Sequence, residues 1–279
     1  MSFADQWCGS GSRIIQMCMR RQVMRAISRG NLLTTEHIWF ESFERVADVN
    51  SHADRVILHG HSKALNGGHL TNNPQNTLIM NLNQTDEELR KGFDKSVKWA
   101  INKAKKEGTQ DQCYDSAFLL EDPAILHNMS KIYSAMYMEK EQEEHTLPVD
   151  LMLAYARAGG LYVSVASIDG DPVVYHSYVT DGSSIRSLHS CSEFRSAGDM
   201  RNRIGRANKY LHYQDMRRFR SLGMTRYDWG GVFSFDEPNG IDEFKLSFGG
   251  AERVVYYNII WERTLRCRIR GWVKERESR

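Results

Sequence analysis

Two short segments in the last third of the chain combine paired glycines with side chains that could do chemistry. Residues 227–231 are Tyr-Asp-Trp-Gly-Gly, and residues 244–250 are Phe-Lys-Leu-Ser-Phe-Gly-Gly. Paired glycines leave bare backbone, so a substrate can approach the main chain closely. A fixed cation stabilises the oxyanion that forms when an amine attacks an ester carbonyl, which makes Lys245 the first candidate for a catalytic role. A solvated lysine on a short helix is the alternative.

Asp228 is the second candidate for a catalytic role. It could accept a proton from the attacking amine if it lies within hydrogen-bond reach. It could equally accept hydrogen bonds from the backbone of the glycine loop, as Asp commonly does in turns, and we favour this structural role slightly. Phe244 and Trp229 are predicted to contact the substrate. Gly230 and Gly231 are predicted to admit it through close approach of the backbone.

Residues 202–207, Asn-Arg-Ile-Gly-Arg-Ala, have the shape of a loop that opens a helix and binds phosphate through backbone N–H groups. Arg203, Gly205 and Arg206 are therefore candidates for binding a phosphate-bearing donor, together with Lys209. The phosphates could be those of coenzyme A or those near the 3′ end of a tRNA. The plain basic start of a helix is an equally good interpretation.

Tyr175 and Tyr178 are further candidates for substrate contact. Residues 173–180 are predicted to form a strand, in which His176 and Tyr178 share one face and Tyr175 lies on the other. One tyrosine should therefore pack in the core while the other is free to meet substrate. The alternation does not indicate which of the two is exposed.

Four histidines, at positions 52, 59, 61 and 69, crowd one region of the sequence. His59 and His61 would share one face of a strand. Neither a cysteine nor an acidic residue joins them at metal-ligand spacing, so we interpret them as surface or loop histidines and predict no metal site.

The elements that must position these residues fall in the order of an α+β protein. Three strands at 161–167, 173–180 and 185–192, joined by Asp-Gly turns, predict an antiparallel meander. After it come a basic helix at about 204–222, a strand into residues 227–228, a short helix at about 241–248 and a strand at 253–261.

Earlier in the chain, residues 77–82 are predicted to form a strand and Thr85 to begin a helix. Thr85 and Glu88 form a capping box, and Gly108 is a natural stop. Two further helices are predicted at 123–140 and 149–158. The apolar residues of the capped helix recur every three or four positions and should be buried: Leu89, Phe93, Val97, Ile101 and Ala104.

The order and spacing of these segments resemble the Fem-type aminoacyltransferases, which belong to the wider GNAT-like acyltransferases. The resemblance covers about residues 76–261, and residues 227–231 and 244–250 are its sharpest parts. It implies a GNAT-like mixed sheet flanked by helices, with aminoacyl-tRNA as the donor and an amine on a peptidoglycan precursor as the acceptor. It also implies that the lysine of the Phe-Lys pair, Lys245, sits near the donor end of the site. Asn202 departs from the Arg or Gln usual in the GNAT phosphate loop.

The resemblance divides the chain into two parts. Residues 76–279 would form the GNAT-like acyltransferase domain, and residues 1–75 a reduced or divergent N-terminal domain, the shortened counterpart of a GNAT-like half. The glycine- and asparagine-rich residues 66–74 are the best candidate for a loop or boundary.

The composition is that of an ordinary globular protein, with 279 residues, 41% hydrophobic and 26% charged residues and a net charge of +2. The sequence contains no apolar run near the ~20 residues of a membrane span, and the start of the chain lacks the apolar core of a signal peptide. Five scattered cysteines, at 8, 18, 113, 191 and 267, indicate reduced thiols. These features predict a cytoplasmic protein.

Charges are unevenly distributed along the chain. Basic residues cluster at 201–220 and from Arg263 onward, and a lysine stripe lies on the capped helix. These could hold a tRNA backbone, although a solvated helix face is an equal alternative. Residues 139–150 are acidic, with Lys140 their only fixed cation. This disfavours a diphosphate acceptor there and favours a cationic or neutral amine, such as a small peptide or a peptide-antibiotic intermediate.

Taken together, the sequence predicts transfer of an aminoacyl group from aminoacyl-tRNA to an amine of a peptide, peptide-antibiotic or peptidoglycan-type acceptor, forming a peptide bond. No metal and no cofactor besides the donor is required. An N-acyltransferase that uses acyl-coenzyme A is the alternative enzyme. A non-catalytic fold relative that only binds RNA or a partner is the alternative from another class.

Overall fold

A computed structural model describes residues 24–30, 32–141, 145–193, 198–265 and 267–269. Within these ranges the chain forms one ten-stranded mixed sheet with helices on both faces. The strands are β1 (Met24–Arg29), β2 (Thr34–Trp39), β3 (Arg55–His61), β4 (Leu70–Asn81), β5 (Gln110–Tyr114), β6 (Leu161–Ile168), β7 (Asp171–Thr180), β8 (Ser184–Ser192), β9 (Arg226–Val232) and β10 (Ala251–Glu262). The helices are α1 (Asp86–Lys91), α2 (Lys95–Lys106), α3 (Ser116–Glu121), α4 (Ala124–Glu141), α5 (Val149–Arg157), α6 (Arg201–Ser221) and α7 (Gly240–Leu246).

The sheet opens into a fork between β8 and β9. The strand order is β1-β2-β3-β10-β4-β9-β8-β7-β6-β5, and the pairs β2–β3 and β8–β9 are parallel. β8 pairs with β9 only through residues 184–186 and 226–228. Beyond that point β8 keeps only β7 as a partner and β9 keeps only β4. A gap between two sheet strands is therefore built into the topology.

Apolar side chains cover both faces of the sheet. One cluster lies between β4, β9 and the helices α1, α2 and α6, and includes Phe93, Tyr178 and Trp229. A second lies between β6, β7 and the helices α3, α4 and α5, and includes Tyr155 and Tyr175. A third, smaller cluster joins β2, β3 and β10. The fork thus lies in a sheet that is packed from both sides.

The predicted fold class is confirmed: the protein is α+β, with a mixed sheet flanked by helices. The meander β6–β8 and the succession α6, β9, α7, β10 fall where the sequence pattern predicts them. The thiols of Cys113, Cys191 and Cys267 are free, as expected, while Cys8 and Cys18 lie outside the described residues.

The capped helix differs from the prediction because it is broken in two. The capping box of Thr85 and Glu88 is present, and all five predicted apolar residues are buried. However, α1 ends before Gly92, which packs against the backbone of Gly250, and the N–H of Asp94 donates to the carbonyl of Ser247 at 2.9 Å. Contact with the segment after α7 therefore interrupts the helix.

The predicted boundary at residue 75 falls inside β4, which pairs with β10 and β9 along its length. The predicted loop at 66–74 ends at Leu70, where β4 begins. The strands β1, β2 and β3 belong to the same sheet as the rest of the chain. The division into two domains stays a prediction.

We expect Gly249→Ala to be much more destabilising than Gly108→Ala. Both glycines have a positive φ, +55° and +78°, which costs an alanine about 1 kcal/mol. A Cβ at Gly249 would also overlap the backbone carbonyl oxygen of Gly92, whereas a Cβ at Gly108 meets nothing within 4 Å. We therefore expect Gly249→Ala to lower the free energy of unfolding by about 3 kcal/mol. Urea unfolding of both variants measures the difference, and equal losses would contradict this account of the α1–α2 break.

Candidate functional site

Lys245 lies on α7 at the open end of the fork. Its Nζ donates a hydrogen bond to the carbonyl oxygen of Gly231, near the end of β9. Burial lowers the pKa of Lys245 from 10.5 to about 8, and the nearby Asp242 and Asp228 partly oppose this. The structure thus holds a cation in a poorly solvated position beside bare backbone.

The first turn of α7 is tied to the segment that follows β9. The side chain of Asn239 caps the helix by accepting from the N–H groups of Ile241 and Asp242, at 2.9 and 3.0 Å. The buried carboxylate of Asp242 accepts in turn from the N–H groups of Phe233 and Ser234, at 3.0 and 3.2 Å. These bonds fix the helix that carries Lys245 relative to the fork.

Asp228 lies at the apex of the fork, where β8 and β9 separate. One carboxylate oxygen accepts from Arg186 Nη1 at 2.6 Å, and the other accepts from Gly230 N at 2.8 Å and from the hydroxyl of Thr77. The bond to Gly230 is the structural role considered for this residue. Because each oxygen already accepts hydrogen bonds, the geometry favours positioning over proton transfer.

Arg186 is the buried partner of Asp228, with only 7% of its side chain exposed. Its guanidinium lies over the ring of Tyr256, 4.4 Å from the centroid, and its Nη2 is 3.4 Å from Gln75 Oε1. No sequence pattern indicates this role, because Arg186 occupies an ordinary position in the strand alternation of β8. A charge pair, a glutamine and an aromatic ring therefore form one wall beside the fork.

Gly230 and Gly231 do allow close approach to their backbone, but the groups that approach belong to this chain and not to a substrate. Gly230 has φ +75°, and a Cβ there would lie 2.8 Å from the carbonyl oxygen of Ser187 on β8. A Cβ at Gly231 would overlap the side chain amide of Gln75. The two glycines therefore let β9 pass close to β8 and β4 at the start of the fork.

Phe244 and Trp229 form the wall behind Lys245. The ring of Phe244 lies 5.6 Å from that of His212 and 6.5 Å from that of Trp229. Phe244 is partly exposed, whereas Trp229 is 2% exposed and packs in the main core. Substrate contact through Phe244 stays a prediction, and Trp229 supports that wall from the core side.

The expectation that Tyr175 or Tyr178 is exposed is wrong, because both are buried at 3% and 0% exposure. Strand alternation does place them on opposite faces of β7. Helix α6 covers the face of Tyr178, and α3 to α5 cover that of Tyr175. Alternation identifies the two faces, but only tertiary structure shows that both are covered.

Tyr178 belongs to a buried polar network beneath α6. One oxygen of Asp215 accepts from Tyr178 OH at 2.7 Å and from Ser164 Oγ at 2.9 Å. The hydroxyl of Tyr178 lies 3.0 Å from that of Tyr227, which lies 2.9 Å from His212 Nδ1. The network therefore leads from the core under α6 to the ring that contacts Phe244.

Burial lowers the pKa of His212, with further contributions from His176 and Lys245, so its imidazole is neutral near pH 7. Burial likewise raises the pKa values of Tyr178 and Tyr227. His212 and Asp215 are three residues apart on α6, among apolar residues that face the core. This spacing was the available sequence signal for the network.

His176, His212 and Asp215 also form the one group of described residues that brings metal-ligand atoms close together, within 4.8 Å. However, the two imidazoles are stacked at 3.9 Å with an interplanar angle of 25°. Nitrogen lone pairs lie in the ring plane, so stacked rings do not converge on one ion. His176 also has a hydrogen-bond partner at each ring nitrogen, Asp215 and Asn208. The geometry fits a hydrogen-bond network and not a metal centre.

The interpretation of His59 and His61 as surface histidines is wrong. His61 is fully buried, and its Nε2 lies 2.9 Å from the N–H of Phe43. His59 is partly buried, with its Nε2 3.0 Å from His37 Nδ1 and its ring stacked 3.9 Å from that of Trp39. These residues lie on β2 and β3, which pack against α5 and β10 instead of forming loops.

The His37–His59 pair borders the wall that contains Arg186. The guanidinium of Arg186 lies 5.8 Å from the ring centroid of Trp39. Burial lowers the pKa of His37 to about 4, and burial, His37 and Arg186 together lower the pKa of His59. The neutral imidazoles of His37 and His59 therefore lie near the guanidinium of Arg186.

A cavity of about 740 Å³ lies between the β1–β2 hairpin and the segment that begins α5. Its lining includes Ser28, Arg29, Arg55 and Asp150, with apolar residues from the start of α5. Ser28 Oγ is 3.3 Å from His37 Nε2, so the cavity rim adjoins the histidine pair. The cavity lining carries both signs of charge.

The predicted donor-binding residues lie on the first turns of α6 and not in a loop, because this helix begins at Arg201. Arg203 pairs with Asp169 at 2.8 Å, and Arg206 forms two bonds to Glu107, at 2.7 and 2.8 Å. Gly205 lies within the helix, and Lys209 lies one turn before His212. Donor binding by these four residues stays a prediction.

Other predicted charges fall partly outside the described chain. Residues 142–144, Arg266 and residues 270–279 are among those not described, as are the side chains of residues 139–141.

Among the helices that the structure describes, none is both long and apolar enough to cross a membrane.

The fold is similar to that of several solved structures. FemX is 13% identical with a TM-score of 0.57, covering 84% of this chain and 83% of that one. The C-terminal domain of a protein assigned as a lysylphosphatidylglycerol synthetase from Agrobacterium fabrum is 10% identical with a TM-score of 0.50, covering 85% and 83%. A GCN5-related N-acetyltransferase from Kribbella flavida is 12% identical with a TM-score of 0.36, covering 75% and 68%.

No protein-family model and no curated protein matches the sequence. At identities of 10% and 13%, the similarity to the first two structures concerns the fold alone. The chain therefore has a fold similar to those of FemX and the synthetase domain, in agreement with the predicted order of strands and helices.

We expect Asp228→Asn to destabilise the fork. The substitution leaves the buried guanidinium of Arg186 without its charge partner, and breaking a buried pair in this way costs about 3 kcal/mol. Urea unfolding measures the loss. The double variant Asp228→Asn with Arg186→Met also removes the guanidinium that would be left unpaired. Its loss in the free energy of unfolding should therefore be smaller than the sum of the losses in the two single variants. Additive losses would show that the pair does not hold the fork.

Proposed function

We propose that this protein transfers an aminoacyl group from the 3′ ester of an aminoacyl-tRNA to an amine, forming a peptide bond. The observation that carries the proposal is the cation of Lys245, held with reduced solvation at the mouth of a fork between parallel strands. The fold shared with FemX, and the Fem-type motifs at 227–231 and 244–250, support this choice of reaction.

The reaction begins with attack of the amine nitrogen on the ester carbonyl carbon. The carbonyl oxygen then becomes an oxyanion, to which the ammonium of Lys245 can donate. Collapse of this intermediate breaks the ester C–O bond, and the tRNA 3′ hydroxyl leaves with the proton that the amine gives up. With a pKa of about 8, roughly nine in ten Lys245 side chains carry the required charge at pH 7.

The surrounding groups hold Lys245 and the glycine backbone in place. Asp228 and Arg186 fix the turn at Gly230, while Asp242 fixes the start of α7. A cation that is already oriented and poorly solvated needs little reorganisation when charge develops on the substrate. We therefore assign Lys245 the catalytic role and Asp228 a positioning role.

The acceptor in this proposal is an amine of a peptide, a peptide-antibiotic intermediate or a peptidoglycan-type precursor. The cavity beside the histidine pair supports a peptide, since Arg29 and Asp150 offer both signs of charge to one ligand. Charged tRNA occurs in the cytoplasm, so the proposal places the protein there.

An acyl-coenzyme A-dependent N-acyltransferase is the second candidate. The observation that favours it is the first turn of α6, whose backbone N–H groups have no side-chain cap at Met200 and could receive phosphates. The ion pairs of Arg203 and Arg206 with acidic residues weigh against it, because both guanidinium groups are already engaged.

The two candidates differ in the donor that binds. Purified protein should bind charged tRNA with strong salt dependence and show no comparable affinity for acetyl-coenzyme A. Transfer is followed by the radiolabel that moves from the tRNA ester to a peptide amine. Binding and turnover with acetyl-coenzyme A alone would replace our proposal with the second candidate.

Lys245→Met should abolish transfer while leaving the protein folded and donor binding largely intact. The methionine has a similar shape without the charge, and its burial avoids the cost of desolvating an ammonium group. Thermal unfolding should therefore show a Tm equal to or above that of the wild type. Undiminished transfer by Lys245→Met would remove this residue from the mechanism.

The transfer rate should fall as the pH rises through about 8, because Lys245 then loses its proton. Lys245→Arg tests this assignment, since arginine keeps its charge at every accessible pH and should remove that limb of the profile. The measurement is kcat/KM between pH 6 and 10 with an acceptor whose amine pKa is known. A limb near pH 8 that persists in Lys245→Arg would belong to another group.

A further inference from the structure

Helix α2 carries an unusual charge distribution for a structural helix. Its twelve residues include five lysines and no acidic residue. The lysines are Lys95, Lys98, Lys103, Lys105 and Lys106. The apolar side of the helix is fully used, since its residues Val97, Ala100, Ile101 and Ala104 are buried in the main core or beside it. What remains is the five lysines together with Ser96, Trp99 and Asn102.

Trp99 lies in the middle of this cationic face and is 60% exposed. At 100° per residue it points away from the buried side, one turn after Lys95 and one turn before Lys103. The guanidinium of Arg206 on α6 lies 5.8 Å from its ring centroid. An indole that is 60% exposed contributes little to the core, and most of its surface is open to a ligand.

Few of these lysines are engaged within the protein. Lys103 lies 3.6 Å from Glu107, and Lys98 donates to the carbonyl of Lys91 at 3.2 Å. Within the described part of the chain, Lys95 and Lys106 have neither a salt bridge nor a side-chain hydrogen bond. Both are exposed, and both are available to an anionic ligand.

The cationic face begins next to the candidate site. The N–H of Asp94, the residue before α2, donates to the carbonyl of Ser247 at 2.9 Å, two residues beyond Lys245. From this junction α2 extends about 18 Å towards the first turns of α6. At its far end Arg206 pairs with Glu107. A ligand lying along α2 therefore has one end near the Lys245 helix.

We propose that the exposed face of α2 binds the single-stranded 3′ end of an RNA, with Trp99 stacking on a base and the lysines contacting phosphates. Aromatic platforms within a positive groove are the usual way to bind a single strand without reading its sequence. This inference deepens the proposed function, on which it rests for the identity of the RNA as an aminoacyl donor.

A membrane surface is the other polyanion that attracts lysines and tryptophan. A helix that lies in a membrane interface needs an apolar face free to enter the lipid. The apolar face of α2 is buried against the sheet, and Trp99 stands among Lys95, Asn102, Lys103 and Lys106 instead of beside other exposed apolar residues. The observations therefore favour a nucleic acid strand.

The first test uses a 12-nucleotide RNA that ends in CCA and carries no aminoacyl group. Its binding is measured by fluorescence anisotropy at fixed salt. Trp99→Ala should weaken binding roughly 5- to 150-fold, which corresponds to the loss of one stacked base. Trp99→Phe keeps an aromatic ring and should retain most of the affinity. Neither variant should change binding of a blunt duplex RNA, in which no base is free to stack.

The second test removes charge with a matched control. Each phosphate contact to a single strand contributes about 0.7 to the slope of log binding constant against log salt, so Lys95→Gln with Lys106→Gln should lower the slope by about 1.4. Lys131→Gln removes an exposed lysine on α4, on the other face of the sheet, and should leave the slope unchanged.

The outcomes separate this inference from the proposed function. If Trp99→Ala binds the RNA with wild-type affinity, the proposed RNA-binding role of α2 is wrong. It is also wrong if the protein binds anionic phosphatidylglycerol vesicles through Trp99 and does not bind RNA. Loss of RNA binding in Trp99→Ala, with no transfer by the wild type from any aminoacyl donor, would uphold the surface and refute the transferase.

Discussion

The carboxylate of Asp228 is the interaction on which the site depends. It stands where β8 and β9 separate, and it bonds to Arg186 of β8, to the hydroxyl of Thr77 on β4 and to the backbone of Gly230. A parallel pair that ends after three residues would leave its strands free to slide or to close again. One buried ion pair, supported by a hydroxyl and a backbone N–H, fixes both the place and the width of the opening.

The rest of the site follows from how charge is kept in poorly solvated surroundings. Arg186 is tolerated because Asp228, Gln75 and the ring of Tyr256 surround it. Among the described residues no carboxylate bonds directly to Lys245, and burial lowers its pKa. Below α6, hydroxyls and a neutral His212 connect Asp215 to the aromatic wall of the site. Arg186 is thus paired with Asp228 and has a structural role, whereas the charge of Lys245 remains available to a substrate.

Much of the fold could be predicted because its signals are local. The capping box at Thr85, the Asp-Gly turns of the meander and the apolar spacing of the capped helix depend on neighbouring residues, and each is confirmed. The strands β1, β2 and β5 were missed because at least half of the residues in each are polar, so no apolar pattern marks them. His37 and His59 meet through the parallel pairing of β2 with β3, and Arg186 of β8 approaches them at the ring of Trp39, which no local pattern encodes. The glycine pair and Lys245 were recognisable as a motif, whereas their partners required the three-dimensional structure.

The position of β10 has a consequence for how this protein is made. Residues 251–262 form the strand that lies between β3 and β4, so the N-terminal strands have no lateral connection to the rest of the sheet until that strand is in place. During synthesis, β1 to β3 emerge from the ribosome some two hundred residues before the strand that joins them to β4. Such long-range pairing slows folding, and it exposes the edge of β4 to solvent and to other chains in the meantime. The β4 edge, with Pro74 within it, must therefore stay unpaired while most of the polypeptide is still being produced.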